Sequence, residues 1–222
     1  MNSPLFYSKI LLFGEYGIIK NSKGLSIPYN FFKGGLKLGD LSNESIKESN
    51  KTLNGFADFL FKIKSSLVEF ENIKIKEDLR KGMYFDSTIP RGYGVGSSGA
   101  IVAAFYEKYA LNKITVLENL TTVKLLTLKK IFSEMEAYFH GTSSGLDPLN
   151  SYLSLPILIQ SKNNVETTGI PSQIKKGKGA VFLIDSGESS QTAPMIEIFL
   201  NSMKNKKFNQ VMREEFIKIT DS

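Results

Sequence analysis

The stretch that decides the fold is Pro90-Arg91-Gly92-Tyr93-Gly94-Val95-Gly96-Ser97-Ser98-Gly99-Ala100. Alternating glycines allow the backbone to approach a ligand closely and to turn several N–H groups toward an anion. The apolar residues before this stretch predict a strand, and the pattern after it predicts a helix with Ser97 or Ser98 as its N-cap. Because a helix start adds its own N–H groups and dipole, the sequence predicts a phosphate-binding loop.

Other interpretations of this loop fit the residues less well. A flexible loop before a capped helix needs neither three alternating glycines nor paired serines. Gly94, Gly96 and Gly99 also match the dinucleotide fingerprint G-x-G-x-x-G, and Glu118 lies 118 − 99 = 19 residues beyond. In a dinucleotide-binding fold, the acidic residue at about this distance binds the ribose and lies at the end of a strand, whereas Glu118 lies in a helical pattern. A Walker A loop is excluded, since no Lys-Ser or Lys-Thr follows the glycines. We favour phosphate binding and keep a dinucleotide site as the weaker alternative.

A second segment, from Ser8 to Gly17, places a lysine at the start of an apolar strand and a glutamate in the turn that follows. Taken singly, Lys9 is an edge charge of a strand and Glu15 is a surface turn residue, because both residue types usually stay exposed. Only the combination of Lys9 and Glu15 with the other two segments suggests that they have a role in catalysis or binding.

A third segment, from His140 to Asp147, is a polar turn that closes a long amphipathic helix. Helix capping alone could explain it, with Gly141 as the C-cap, Asp147 as the N-cap of the next helix and Pro148 at its first position. Glu136 and His140 have i,i+4 spacing, so we expect both on one face of the helix. A single histidine cannot make a zinc or iron site by itself.

The composition favours a globular chain and excludes several classes of protein. With 222 residues, 41% of them hydrophobic, the chain can bury a large core, and the absence of cysteine excludes disulfides and thiolate metal sites. The 28 Lys and Arg residues against 22 Asp and Glu give a formal net charge of +6. The basic residues come in short groups without an RNA-binding aromatic signature. We expect no nucleic-acid partner. No segment approaches the roughly 20 apolar residues of a membrane helix, so we expect a soluble, cytoplasmic protein without a membrane partner.

Hydrophobic periodicity predicts a mixed α+β fold. The predicted strands cover 5–13, 18–20, 25–32, 83–89 and 180–184, and the predicted helices cover 43–63, 97–109, 121–139 and 192–203, with an unfinished helical segment over 208–222.

Together, the three segments resemble the GHMP kinase superfamily of galactokinase, homoserine, mevalonate and phosphomevalonate kinases, and most closely its mevalonate kinase branch. Lys9 to Gly17 is similar to that branch's opening strand and Gly-Glu-His-Gly-like turn. Pro90 to Ser98 is similar to its phosphate loop, and His140 to Asp147 to its His-Gly-x-x-Ser-Gly-x-Asp stretch. The resemblance implies an N-terminal domain like domain 2 of ribosomal protein S5 over 1–185. It also implies that a ferredoxin-like C-terminal domain, largely missing, starts in 186–222.

The resemblance also implies an ATP- and Mg²⁺-dependent kinase. Asp147 would be the catalytic base and Lys9 would stabilise charge beside it. Ser98 and Glu136 would be the magnesium ligands. The residues implied for ATP binding are Gly92, Gly94, Val95, Gly96, Ser97, Ser98 and Gly99, and those implied for the acceptor are Glu15, Tyr16, Ser144, Gly145 and Thr192. The loop over 186–192 would line the same site. The expected reaction is phosphorylation of mevalonate in isoprenoid biosynthesis, by a protein that could be a homodimer.

The chain departs from the family pattern at a few positions. Tyr16 stands where a histidine is common, which leaves phosphomevalonate or another small molecule open as the acceptor. Gly99 replaces an alanine. No second glycine-rich motif occurs before Ser222, so we expect a chain that is truncated relative to the family and that turns over poorly. An S5-like nucleic-acid-binding module is the non-enzyme alternative.

Overall fold

The sheet of the protein is antiparallel and forms around one long strand. The computed structural model describes residues 4–63, 65–117, 119–169, 183–185, 187–189 and 192–222. Its strands are β1 (Phe6–Phe13), β2 (Gly24–Leu38), β3 (Met83–Ser87), β4 (Ile157–Ser161) and β5 (Asn164–Thr167). They are ordered β1-β2-β4-β5, and β3 pairs with the last residues of β2. Because β2 is 15 residues long, it pairs with β1, β3 and β4 along different parts of its length.

Helices surround this sheet and continue to the C-terminus. They are α1 (Glu44–Leu60), α2 (Asn72–Arg80), α3 (Ser97–Tyr109), α4 (Thr122–His140), α5 (Leu146–Leu153), α6 (Thr192–Ser202), α7 (Lys206–Val211) and α8 (Lys218–Asp221). A π-helix, Met212–Ile217, joins the last two. The Asn43 and Thr121 side chains accept backbone N–H bonds at the starts of α1 and α4, which explains why these helices begin where they do.

The centre of the core is α3. Every residue from Gly99 to Tyr106 is buried, because this helix packs against α4, α5 and the sheet. A helix that is apolar all round is stable only when other elements cover it on all sides. Phe105 and Tyr106 pack by their rings against Phe56 and Phe132 of the neighbouring helices α1 and α4. This packing fixes the position of α3 in the core.

The prediction of a mixed α+β fold is confirmed, and most predicted elements are present. One predicted strand is wrong: Gly17–Lys20 forms a 3-10 helix. The chain must reverse within a few residues there, and Asn21, in the left-handed region at φ 67°, closes the turn through its N–H. The helix α2 and the hairpin β4–β5 were not predicted. Residues 180–182 of the predicted strand over 180–184 lie outside the described residues.

Among the helices that the structure describes, none combines the length and the apolar character that crossing a membrane requires.

Candidate active site

The glycine loop has the backbone conformation that its sequence predicts. Gly92, Gly94 and Gly96 have φ values of 80°, 69° and 86°, in the region that favours glycine. Gly96 occupies the N-cap position of α3, so the expectation that Ser97 or Ser98 caps the helix is wrong. The positive φ at the cap requires glycine, and α3 therefore starts without a side-chain cap. Its first N–H groups remain available to an anion, as phosphate binding at a helix start requires.

The strand β1 holds this loop and brings a lysine to it. The backbone N–H of Lys9 donates to the carbonyl of Val95 at 3.0 Å. The Lys9 ammonium lies 3.1 Å from Oδ1 of Asp147, with 11% of the Lys9 side chain and 38% of the Asp147 side chain exposed. Residues 138 positions apart in the sequence thus form an ion pair that is open to solvent only on the aspartate side.

Two glycines place Asp147 against the loop. A Cβ on Gly99 would lie 2.8 Å from the Asp147 carbonyl carbon, so α3 and α5 approach by their backbones at this point. Gly145, at φ 73°, is the N-cap of α5, and a Cβ there would lie 2.0 Å from the Lys129 carbonyl oxygen. The prediction that Asp147 caps this helix is therefore wrong: Asp147 is its second residue, with Pro148 third.

A buried carboxylate lies beside the second serine of the loop. Glu136 is 3% exposed, and Ser98 Oγ donates to its Oε1 at 3.0 Å. His140 Nε2 contacts the same Oγ at 3.0 Å, so the expectation that Glu136 and His140 share a helix face is confirmed. Burial, and secondarily the charge of Asp147, raise the pKa of Glu136 to about 7, while hydrogen bonds from Ser143 and Ser98 oppose this shift.

The chemistry of these donors fits magnesium. Ser98 and Glu136 offer hydroxyl and carboxylate oxygens, the hard ligands that Mg²⁺ prefers. In the part of the chain that the structure describes, no group of three or more His, Cys, Asp or Glu side chains could hold a metal ion by itself. Mg²⁺ usually takes one or two protein ligands and completes its shell with phosphate and water oxygens, so the two oxygens of Ser98 and Glu136 would be enough to hold it.

The residues expected to bind the acceptor are less closely gathered. Glu15 is exposed, and Tyr16 has φ 60° with its ring centroid 4.9 Å from that of Phe199 in α6. The exposed Ser144 accepts the Leu146 N–H at 3.3 Å. Gly145 faces the backbone of α4, and Thr192 is the first residue of α6.

Some predicted features lie elsewhere or were missed. Glu118, the acid of the dinucleotide alternative, and residues 186, 190 and 191 of the predicted loop lie outside the described residues. Sequence reasoning missed Ser143, whose Oγ donates to Oε2 of Glu136. Its position in a run of small polar residues was the only signal. A cavity of about 360 Å³ among the C-terminal helices, lined by residues including Met203 and Arg213, contains none of the predicted site residues.

Comparison with known proteins finds a family model that matches the middle of the chain. Residues 54–154 match the family model described as the GHMP kinases N terminal domain. The fold is similar to that of L. major mevalonate kinase in complex with R-mevalonate, with a TM-score of 0.52 and 16% identity over 95% of this chain and 64% of that one. Methanococcus jannaschii mevalonate kinase gives a TM-score of 0.49 and 14% identity over 96% of this chain and 70% of that one. No curated protein matches in sequence.

The family match covers most of the candidate active site. Its range includes the glycine loop, Glu136 and Asp147, while Lys9 lies before it. The chain spans 64% of the length of the L. major enzyme. The predicted resemblance to the superfamily is confirmed, since residues 54–154 match the model of the N-terminal domain of the GHMP kinases.

Proposed function

We propose that this chain binds ATP at its glycine loop and transfers the γ-phosphate to the hydroxyl of a small molecule. The observation that carries the proposal is the ion pair between Lys9 and Asp147, at 3.1 Å, beside the uncapped start of α3. The backbone of Lys9 is bonded to the same loop, since its N–H donates to the Val95 carbonyl at 3.0 Å. A carboxylate and a cation therefore lie beside a helix start that can bind an anion.

The geometry supports a simple division of roles. Asp147 would accept the proton of the substrate hydroxyl as its oxygen attacks the γ-phosphorus and the bond to the ADP oxygen breaks. Lys9 would stabilise negative charge on the attacking and transferring oxygens. The loop N–H groups would hold the phosphates, and Ser98 and Glu136 would hold the metal. Bound Mg²⁺ would supply charge neutralisation on the phosphate oxygens. Most of the acceleration then comes from positioning and electrostatics.

Mevalonate is the acceptor that we propose, yielding 5-phosphomevalonate in isoprenoid biosynthesis. The sequence resemblance supports it through the Gly14 to Gly17 turn and the His140 to Asp147 stretch. The similar L. major fold is that of a mevalonate kinase in complex with R-mevalonate. Tyr16 keeps phosphomevalonate and other small hydroxyl compounds as alternatives, because its ring occupies the turn where the family commonly has a histidine.

The test measures ADP release from Mg·ATP with mevalonate, phosphomevalonate, homoserine and galactose in parallel. We expect turnover with mevalonate and its reduction by at least about 100-fold in Asp147→Ala, since a positioned base typically contributes 10²–10⁴-fold. Asp86→Ala is the matched control, because Asp86 forms an exposed ion pair with Lys37 at 2.6 Å in the sheet. Equal turnover in Asp147→Ala and Asp86→Ala would contradict the role of Asp147. No ATP binding to the unaltered chain would contradict the proposal as a whole.

A further inference from the structure

The side chain of Ser143 is held from several directions at once. Its hydroxyl donates to Oε2 of Glu136 and accepts the Gly145 N–H at 2.9 Å. Its own carbonyl accepts a hydrogen bond from the Ser133 hydroxyl at 2.5 Å. The serine therefore has little freedom to turn away from Glu136, and its rotamer is fixed by groups on α4 and at the start of α5.

Glu136 is oriented by serines on both sides. Ser98 of the phosphate loop donates to Oε1, and Ser143 donates to Oε2. A buried carboxylate with both oxygens satisfied cannot rotate about its last bond without breaking a hydrogen bond. Oε1 therefore stays on the side of the glycine loop, where the nucleotide phosphates would bind.

We propose that Ser143 is a positioning residue that presents Glu136 to the magnesium of the bound nucleotide. The inference rests on the proposed function, since it takes Glu136 as a metal ligand. Ser143 also joins the metal side of the site to the base, because Gly145, which donates to it, is the cap of the helix that carries Asp147. The partners that orient a ligating carboxylate typically change metal affinity 10–100-fold when removed.

The experiment measures ATP binding to the full chain by calorimetry, at rising Mg²⁺ concentrations and without Mg²⁺. We expect Ser143→Ala to raise the Mg²⁺ concentration for half-maximal binding about tenfold. The affinity for metal-free ATP should stay unchanged, because the loop N–H groups are not altered. Ser143→Thr retains the hydroxyl and should restore the Mg²⁺ requirement. Thr142→Ala removes an exposed hydroxyl from the same turn and should match the unaltered chain.

Glu136→Gln separates failure of this inference from failure of the proposed function. If Glu136→Gln raises the Mg²⁺ requirement and Ser143→Ala does not, the positioning role of Ser143 is overturned, while the role of Glu136 as a metal ligand is retained. If neither variant raises the Mg²⁺ requirement, both the positioning role of Ser143 and the metal-ligand role of Glu136 are overturned. Equal loss of affinity for metal-free and metal-bound ATP in Ser143→Ala also overturns the inference, because it indicates a general disturbance of the site. Thermal unfolding of each variant checks that it folds.

Discussion

At the scale of single residues, Glu136 shows a conflict between stability and function. The carboxyl is 3% exposed, and its burial raises its pKa from 4.5 to about 7. The proposed role of Glu136 as a metal ligand requires the ionised carboxylate, yet the fold favours the protonated form when no cation is near. Site residues commonly cost stability in this way, because the arrangement that serves the ligand is not the one that serves the core.

The stability of the protein should therefore depend on the ionisation of Glu136. Between pH 4.5 and about 7 the unfolded chain loses this proton while the folded chain retains it, so the free energy of unfolding falls as the pH rises. Replacing Glu136 by Gln removes the ionisation and should raise the free energy of unfolding at pH 8 by about 3 kcal/mol. Urea denaturation at pH 5 and pH 8 measures both effects.

The control for this measurement is Glu77→Gln, which changes an exposed glutamate of α2. It should leave the pH dependence of the free energy of unfolding close to that of the unaltered chain. If Glu136→Gln retains the full decline in stability between these pH values, the carboxyl of Glu136 is not the group responsible.

At the scale of elements, the contact between α3 and α5 sets the position of Asp147, the proposed base. Gly99 lies at this contact, where a side chain would meet the backbone of Asp147 and Pro148 at 2.8 Å. The departure from the alanine of the family pattern thus has a physical reason in this chain. The two helices approach so closely that only glycine fits without displacing one of them.

Gly99→Ala should therefore destabilise the protein, although alanine is the better helix former. Helix propensity alone predicts a gain of about 1 kcal/mol. Forcing a methyl group into a closely packed contact typically costs about 1–3 kcal/mol, and we expect this cost to prevail. The free energy of unfolding in urea tests the sign of the effect. A gain in stability would mean that α5 moves away easily, and Asp147 with it.

At the scale of the whole molecule, the C-terminal helices pack on the turn that follows β1. The Tyr16 ring packs against that of Phe199 in a tilted arrangement. Asp221 in α8 accepts hydrogen bonds from the Lys23 N–H at 2.8 Å and from the Ser22 hydroxyl at 2.7 Å. These hydrogen bonds hold the pKa of Asp221 below its ordinary value. Residues at the two ends of the chain thus meet beside the turn that contains Glu15.

Asp221→Ala should loosen the last helices without unfolding the protein. We expect amide hydrogen exchange over 206–221 to become about tenfold faster, since local opening depends on the few contacts that hold a terminal segment. The global free energy of unfolding should change by less than about 1 kcal/mol. Glu215→Gln, an exposed change in the same segment, should leave exchange unaltered. Unchanged exchange in Asp221→Ala would mean that other contacts hold α8.

The sequence by itself determined the fold class and the candidate residues of the site. Alternating glycines have few purposes other than close approach to a ligand, so the loop at Gly92 to Gly96 was predictable from local conformational preference. Helical periodicity likewise located α1, α3, α4 and α6. The resemblance of three separated segments pointed to Lys9, Glu136 and Asp147 as candidate site residues, which no single segment could have done.

Only the tertiary structure decided which groups meet. Capping rules favoured serine and aspartate at the starts of α3 and α5, yet glycines occupy both cap positions, because the backbone turns there with positive φ. The pairing of Lys9 with Asp147 and the contact of Ser143 with Glu136 depend on how β1, α4 and α5 pack around α3. Local preferences act over a few neighbouring residues, whereas these contacts follow from burying one shared core.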